Sequence, residues 1–179
     1  MSARRIALLR GINLGSRRRV AMAELRELVE GLGYEDVATH LQSGNVFLTG
    51  AERPERVARR MEEAIAERFG FDVDVVVRTG AQLRAAVEAN PFSDESADGA
   101  RLLVLFLGAD PDPEAVRGLD DERAGDDRIR ARRREIYVWC PGGVRRSPGL
   151  AEIERRRLGV TATARNWNTV LKLRAMLGG

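Results

Sequence analysis

Hydrophobic periodicity runs twice along this chain through one order of elements: strand, helix, strand, strand, helix. That repeated order is the tightest constraint on what it can fold into. The first strand covers Arg5–Arg10. Ile6 and Leu8 point to one face and Ala7 and Leu9 to the other, as in a central strand. A helix is predicted over Ala21–Leu32, where Met22, Leu25, Leu28 and Val29 form one apolar stripe and Gly33 supplies the stop. Val37–Gln42 and Asn45–Thr49 read as short strands joined tightly through Ser43 and Gly44. A long amphipathic helix, Pro54–Phe69, and a fourth strand, Asp72–Thr79, come next. The helix that begins at Gly80 must stop at Asn90, because a residue before proline disfavours the helical region.

The polar, aperiodic stretch at residues 93–100 is the internal boundary. The order then restarts with a strand in Arg101–Gly108, a short helix in Pro111–Leu119 and a hairpin in Asp127–Cys140. Two closing helices follow in Gly149–Arg157 and Asn166–Leu177. The expected fold class is α+β: two ferredoxin-like βαββα modules, each with helices packed on one sheet face. Residues 1–94 form the first and residues 100–179 the second, joined as one compact unit. The correspondence is one of element order, with no residue-level repeat beside it.

Composition narrows the function classes. At 179 residues and 44% hydrophobic the chain can build a real core. No apolar run approaches the ~20 residues that span a bilayer, and the apolar stretch near the N-terminus is too short for a secretory signal. The expected location is the cytoplasm, with no membrane partner. Cys140 is the only cysteine and His40 the only histidine, so neither an internal disulfide nor a thiol- or histidine-rich metal site is available; no metal and no cofactor is expected. The sequence pI is about 9.7, but the formal charge is only +3 and Lys172 is the sole lysine. An Arg, Ala, Gly and Val bias is what a GC-rich genome produces, so only local arginine clusters carry weight. Guanidinium binds phosphate and carboxylate in a bidentate way that lysine cannot.

If strands one and two are parallel, a right-handed crossover puts the exit of strand one and the hairpin after strand two on one sheet edge. Arg10-Gly11-Ile12-Asn13 and Gln42-Ser43-Gly44-Asn45 then become neighbours. Gly11 and Gly44 permit positive φ, the amides of Asn13, Gln42 and Asn45 donate and accept, and successive backbone N–H groups can form an anion nest. The loop Gly11–Val20 exceeds the usual connection of roughly 4 to 6 residues and carries Arg17, Arg18 and Arg19. A third element is Thr161–Leu173. With Asn166 as N-cap, Trp167, Asn168 and Thr169 fall in the first helical turn and Arg165 stands beside it. The candidate ligand-binding set is therefore Arg10, Gly11, Asn13, Gln42, Ser43, Gly44, Asn45, Arg165, Asn166 and Asn168. Its ligand would be a phosphate-bearing or otherwise anionic small molecule, with no reaction assigned. The structural alternative stands beside it: Ser43-Gly44 as an ordinary turn, Asn13 closing its own loop, Arg17–Arg19 as a solvated run, and Asn166 as a plain cap with Trp167, Val170, Leu171 and Leu173 in the core.

A second function class is single-stranded nucleic-acid binding. In the second hairpin Arg128, Arg130 and Arg132 alternate with Ile129 and Ala131, while Tyr137 and Trp139 alternate with Ile136, Val138 and Cys140. One face then offers arginines and two rings, a combination that holds phosphates and stacks bases. Packing of that face is the competing explanation. A third class is a structural or dimerisation role in which the motifs close the fold.

Catalytic signals are weak. His40 and Ser43 are three residues apart and point to opposite faces of a strand. Cys140 reads as a small buried hydrophobe, Asp72 and Asp74 as the polar side of a strand, and the acidic run at 120–127 as a solvated loop. The glycines near Gly11 match neither a P-loop nor a dinucleotide fingerprint.

The "RGIN" loop, the "QSGN" hairpin, "NPF" at Asn90–Phe92 and the "RNWNT" helix start together resemble a bacterial family known as a domain of unknown function, across essentially the whole chain. Relatives commonly read Gly-Gly with lysines after RGIN, where this chain has Ser16 and Arg17–Arg19. The resemblance implies an α/β fold with ferredoxin-like parts and no activity.

Overall fold

The computed structural model describes residues 2–94, 98–119 and 124–178. Two compact units divide the chain: Met1–Arg84 with Leu173–Gly179, and Ala85–Lys172. The first runs β1 (Ala3–Leu9), α1 (Met22–Gly31), β2 (Glu35–His40), β3 (Asn45–Gly50), α2 (Pro54–Phe69) and β4 (Val75–Thr79). Its four strands form one sheet in the order β2-β3-β1-β4. β3 is antiparallel to both β1 and β2, so β1 and β2 run parallel, with α1 as their crossover. Helix α3 (Gly80–Glu88) begins in the first unit and ends in the second.

The second unit repeats this plan with β5 (Leu102–Leu107), α4 (Pro113–Arg117), β6 (Arg128–Arg132), β7 (Glu135–Trp139), α5 (Pro148–Arg156) and β8 (Ala162–Asn166). Its strand order, β6-β7-β5-β8, is that of the first sheet. Helix α6 (Trp167–Met176) follows β8 as α3 follows β4. The fold is thus the mixed α/β one of two ferredoxin-like modules, each βαββ core completed by a helix and a fourth strand.

The differences from the sequence reading are local. Residues 162–165, to which no element was assigned, and Asn166, expected to start the last helix, form a strand; Thr163 and Arg165 are its buried residues while Ala164 is exposed, so polar groups occupy the inward positions and no apolar alternation announces it. β4 begins only at Val75, which leaves Asp72 and Asp74 before the strand. His40 pairs with Asn45, so Leu41–Gly44 form a four-residue connection rather than a two-residue one. Of the expected boundary at 93–100 and the acidic run at 120–127, residues 95–97 and 120–123 lie outside the described residues.

Each sheet buries one face against its own helices. In the first unit Ala7, Leu9, Val46, Leu48, Val75 and Val77 pack with Leu25 and Val29 of α1 and Val57, Met61 and Ile65 of α2. In the second, Leu103, Leu105, Leu107, Ile136 and Val138 pack with Ile153 and Leu158. Ile6, Leu8, Phe47 and Val76 on the other face of the first sheet are buried as well. α2 starts with Pro54 in its first turn and stops at Gly70 (φ +75), whose N–H donates to the Ala66 carbonyl. Among the described residues no helix is long and apolar enough to cross a membrane.

A polar cluster ties β2, β3 and α2 together. The Tyr34 hydroxyl donates to Glu52 Oε2 (2.6 Å), Arg60 donates to the same oxygen (3.1 Å) and to the Leu32 carbonyl (2.9 Å), and its guanidinium lies 5.3 Å from the Tyr34 ring centroid. Burial, reinforced by the Glu52 carboxylate, pushes the Tyr34 hydroxyl up to about 12. A phenol with a raised folded-state value stabilises fully below its unfolded value of ~10 and loses that contribution as pH climbs through the folded one. Denaturant unfolding followed between pH 9 and pH 12 (about the interval between the two values) is expected to show stability falling with pH, and Tyr34→Phe should flatten that fall while lowering stability at neutral pH. An unchanged slope in the variant would contradict this assignment.

Candidate functional site

The end of β1 meets the start of β3 because the two strands are antiparallel neighbours, with Leu8 opposite Asn45 and the Leu9 N–H donating to the Gly44 carbonyl (2.8 Å). The segments Arg10–Asn13 and Gln42–Asn45 therefore adjoin, as parallel β1 and β2 implied. On the other side of β1, the Arg10 N–H donates to the Asp74 carbonyl (2.9 Å).

The amides of these segments are consumed in holding the loops. Asn13 (φ +56) donates from Nδ2 to the Gln42 carbonyl (2.8 Å) and the Val20 carbonyl (3.0 Å), and its Oδ1 accepts from the Val20 N–H (2.9 Å). Its own N–H donates to the Arg18 carbonyl (3.0 Å), closing the base of the long loop. Asn45 is fully buried and donates to the His40 carbonyl (2.7 Å) and to Ser43 Oγ (3.1 Å). Gly44 has φ +78, and a Cβ there would stand 2.8 Å from both Leu9 Cβ and Ile12 Cδ1. No side chain fits without displacing the buried Ile12. Beside Gly11 (φ +67) there is open space, with only Arg18 Nη1 within reach, 3.9 Å from where a Cβ would be.

Charge at this edge is positive. Arg10 Nη1 stands 3.4 Å from Asp74 Oδ2, an exposed pair that contributes little. Arg17, Arg18 and Arg19 are exposed, and among the described residues no carboxylate pairs with them. Arg19 Nε donates to the Gly15 carbonyl (3.3 Å). α1 starts directly after this loop with Ala21 at its N-cap, a residue with no side-chain acceptor for the free N–H groups of the first turn. Two leucines also stand out, Leu14 at 83% and Leu41 at 53% exposure. Sequence reasoning singled out neither: Leu41 fell inside the expected strand Val37–Gln42, and Leu14 is a lone apolar residue in the long loop with no periodicity around it to say which way it faces.

The third motif lies in the second unit. Arg165 is not a surface cation beside a helix: it sits on β8, 8% exposed, with Nη1 donating to Thr163 Oγ1 (2.9 Å) and to the Ala164 carbonyl (2.8 Å). Burial pulls its guanidinium down to about 10, which leaves it charged at neutral pH. Asn166 Oδ1 accepts from the Thr169 N–H (2.8 Å) and so caps α6. Trp167 is buried and its N–H donates to the Gly99 carbonyl (3.0 Å), while Asn168 is exposed, close to Gly99. Val170 and Leu173 are buried and Leu171 is 39% exposed.

The aromatic face of the second hairpin is closed. Tyr137 has no exposure, and its hydroxyl donates to the Ala86 carbonyl (2.6 Å). The guanidinium groups of Arg128 and Arg130 lie 5.1 and 6.0 Å from the Phe92 ring centroid. Trp139 is half-buried and Arg132, opposite the buried Glu135, is exposed. Two open rings for stacking bases are therefore not available there. Cys140 is buried, its thiol near Ser147 Oγ (3.5 Å), and burial pushes the thiol above its ordinary value. Ser147 in turn donates to the buried Asp127 carboxylate (2.5 Å) and caps α5. Among the described residues no group of three or more His, Cys, Asp or Glu side chains is placed to hold a metal ion.

Residues 2–137 match the family described as protein of unknown function (DUF1697), and the chain belongs to that family. It is similar to the solved structure of the conserved bacterial protein SP0830 from Streptococcus pneumoniae, at 26% identity with a TM-score of 0.78 and 99% of each chain covered. No curated protein matches the chain.

Two outcomes follow from these contacts. Gly44→Ala, which forces a Cβ against Leu9 and Ile12 at positive φ, and Asn13→Ala, which removes three hydrogen bonds, should each cost roughly 1–3 kcal/mol in denaturant unfolding; values near zero would mean that the loops are not clasped as described. Cys140 should stay unreactive toward an aromatic disulfide reagent until denaturant unfolds the second unit, and stoichiometric reaction of the native chain would contradict its burial.

Proposed function

We propose that this member of the family binds a phosphate-bearing anion at the edge of its first unit where the β1–α1 loop meets the β2–β3 connection. One observation carries the reading: Arg17, Arg18 and Arg19 are exposed with no carboxylate partner among the described residues, and they lead into a helix whose N-cap is alanine. The first-turn N–H groups of a helix favour an anion, and three guanidinium groups alongside add full charges with the fork geometry phosphate accepts.

The surrounding structure supports binding in two further ways. Asn13 fixes both the base of the loop and its contact with Gln42, so the arginines project from an anchored segment, which lowers the ordering cost of engagement. The open flank of Gly11 lets a ligand approach the backbone closely. Ser43 Oγ already accepts from Asn45, so the reading is one of binding and assigns no nucleophile. It draws on the first unit alone, with Arg10, Gly11 and Gln42 at the margin of the site.

Thermal unfolding with inorganic pyrophosphate and with nucleoside diphosphates, against sodium chloride of equal ionic strength, tests it. Binding to the native state at about 100 times Kd adds about 2.7 kcal/mol, which raises the midpoint by several degrees. The triple variant Arg17→Ala, Arg18→Ala, Arg19→Ala should keep its ligand-free midpoint and lose the shift. If none of these anions moves the wild-type midpoint, the reading fails.

A further inference from the structure

We infer that the phosphate received at this edge is that of an anionic lipid headgroup, and that the first unit docks on an acidic bilayer surface with Leu14 and Leu41 inserted; this rests on the anion reading above. Leu14, Leu41 and Leu171 are the exposed large hydrophobic residues among those described, and two of them stand in the two clasped loops. Each is the chain neighbour of a residue in the clasp, since Asn13 Nδ2 donates to the Gln42 carbonyl (2.8 Å). Leu41 also has φ +62, a backbone conformation that glycine adopts freely and leucine rarely does. A leucine 53% exposed in a conformation that costs it free energy is not what packing alone would place there. Among the described residues, three of the six non-glycine residues at positive φ, Asn13, Arg18 and Leu41, belong to this edge, and strain concentrated in one place points to use there.

The chemistry selects the partner. A side chain 83% exposed, as Leu14 is, projects from the surface instead of lining a hollow, so it suits a broad partner better than an enclosed small molecule. Leucine gains by entering the acyl boundary of a bilayer, whereas single-stranded nucleic acid is gripped by stacked rings, and no ring is exposed in these loops. Arginine matches the second layer: its stem lies along apolar surface while the guanidinium stays at headgroup level. Arg17, Arg18 and Arg19 follow Leu14 within the same loop. Of the carboxylates nearby in the fold, Asp74 is engaged with Arg10, and Glu24, in the first turn of α1, lies 3.9 Å from Arg68. A basic residue near an anionic leaflet is worth about five-fold in partitioning, so three give roughly a hundred-fold preference over a neutral bilayer. The chain was expected to have no membrane partner because it has no spanning segment, but docking on a surface needs none.

The test is co-sedimentation of the full chain with vesicles of phosphatidylcholine alone and of phosphatidylcholine mixed with phosphatidylglycerol. Binding to the mixed vesicles that exceeds binding to neutral ones at least about ten-fold and weakens with salt supports the proposal. The double variant Leu14→Ser, Leu41→Gly should lose vesicle binding by about ten-fold or more and keep the pyrophosphate shift; glycine suits φ +62, so the unfolding midpoint should be retained, which separates lost docking from lost folding. A wild-type chain that shifts with pyrophosphate yet ignores anionic vesicles overturns the inference and leaves the anion reading intact. Self-association or oligonucleotide binding that depends on the two leucines, without vesicle binding, also overturns it, by assigning the edge to a second copy or to nucleic acid. Absence of both vesicle and pyrophosphate binding removes the anion reading together with it.

Discussion

Everything at the loop edge follows from where β1 must go. Ile6 and Leu8 on one face and Ala7 and Leu9 on the other are all fully buried, and a strand apolar on both faces is stable only inside a sheet. β1 accordingly pairs with β3 on one side and β4 on the other, antiparallel to both. An antiparallel neighbour starts where β1 ends. The Leu9 N–H thus reaches the Gly44 carbonyl and the Arg10 N–H reaches the Asp74 carbonyl, so three loops meet at one end of the sheet through topology before any side chain contributes.

Within that meeting place the labour is divided against first appearance. Asn13 and Asn45, with the chemistry most expected of ligand binders, have their amides spent inside the fold: Asn13 on its own loop and on the Gln42 carbonyl across from it, Asn45 on the His40 carbonyl and Ser43 Oγ of its own connection. Each such bond contributes about 0.5–1.5 kcal/mol net, and an unmade one in a buried place costs more. What remains for a partner are the arginine run, which the sequence left open between a solvated stretch and ligand attraction, and two leucines that no motif includes. The clasp and the exposed groups depend on each other, because arginines on an unanchored loop would lose more conformational freedom on binding than they gain in precision.

Much of this architecture was legible in the sequence where burial and periodicity agree. α2 is the clearest case: Val57, Met61 and Ile65 are all buried, Pro54 opens the helix and Gly70 closes it. The adjacency of the Arg10–Asn13 and Gln42–Asn45 segments was legible too, since it needs only one crossover rule. β8 was hidden because its inward residues are Thr163 and Arg165, polar groups that satisfy themselves by hydrogen bonding on a buried face. The hairpin face stayed open between packing and base stacking for the converse reason: alternation says which residues share a face but not what covers it, and Tyr137 is buried with its hydroxyl on the Ala86 carbonyl. Leu14 and Leu41 were invisible because hydrophobicity encodes a preference for burial and not its outcome.

The duplicated fold supplies its own comparison. In the second unit the Leu107 N–H donates to the Arg134 carbonyl and the Gly108 N–H to the Thr161 carbonyl, the counterparts of the Leu9 and Arg10 bonds of the first. Yet the connection from β5 to α4 spans only residues 108–112, against residues 10–21 between β1 and α1. It is also acidic and self-sufficient: Asp112 accepts from the Glu114 N–H (2.9 Å) at the start of α4, and Asp110 accepts from Arg134 (3.0 Å). One copy of the topology closes its helix start with its own carboxylate. The other lengthens the same connection, places alanine at the cap and sets three arginines beside it. Since both connections satisfy the same backbone requirement, the extra length and charge of the first are not demanded by the fold, and a negatively charged partner is what would give them a use.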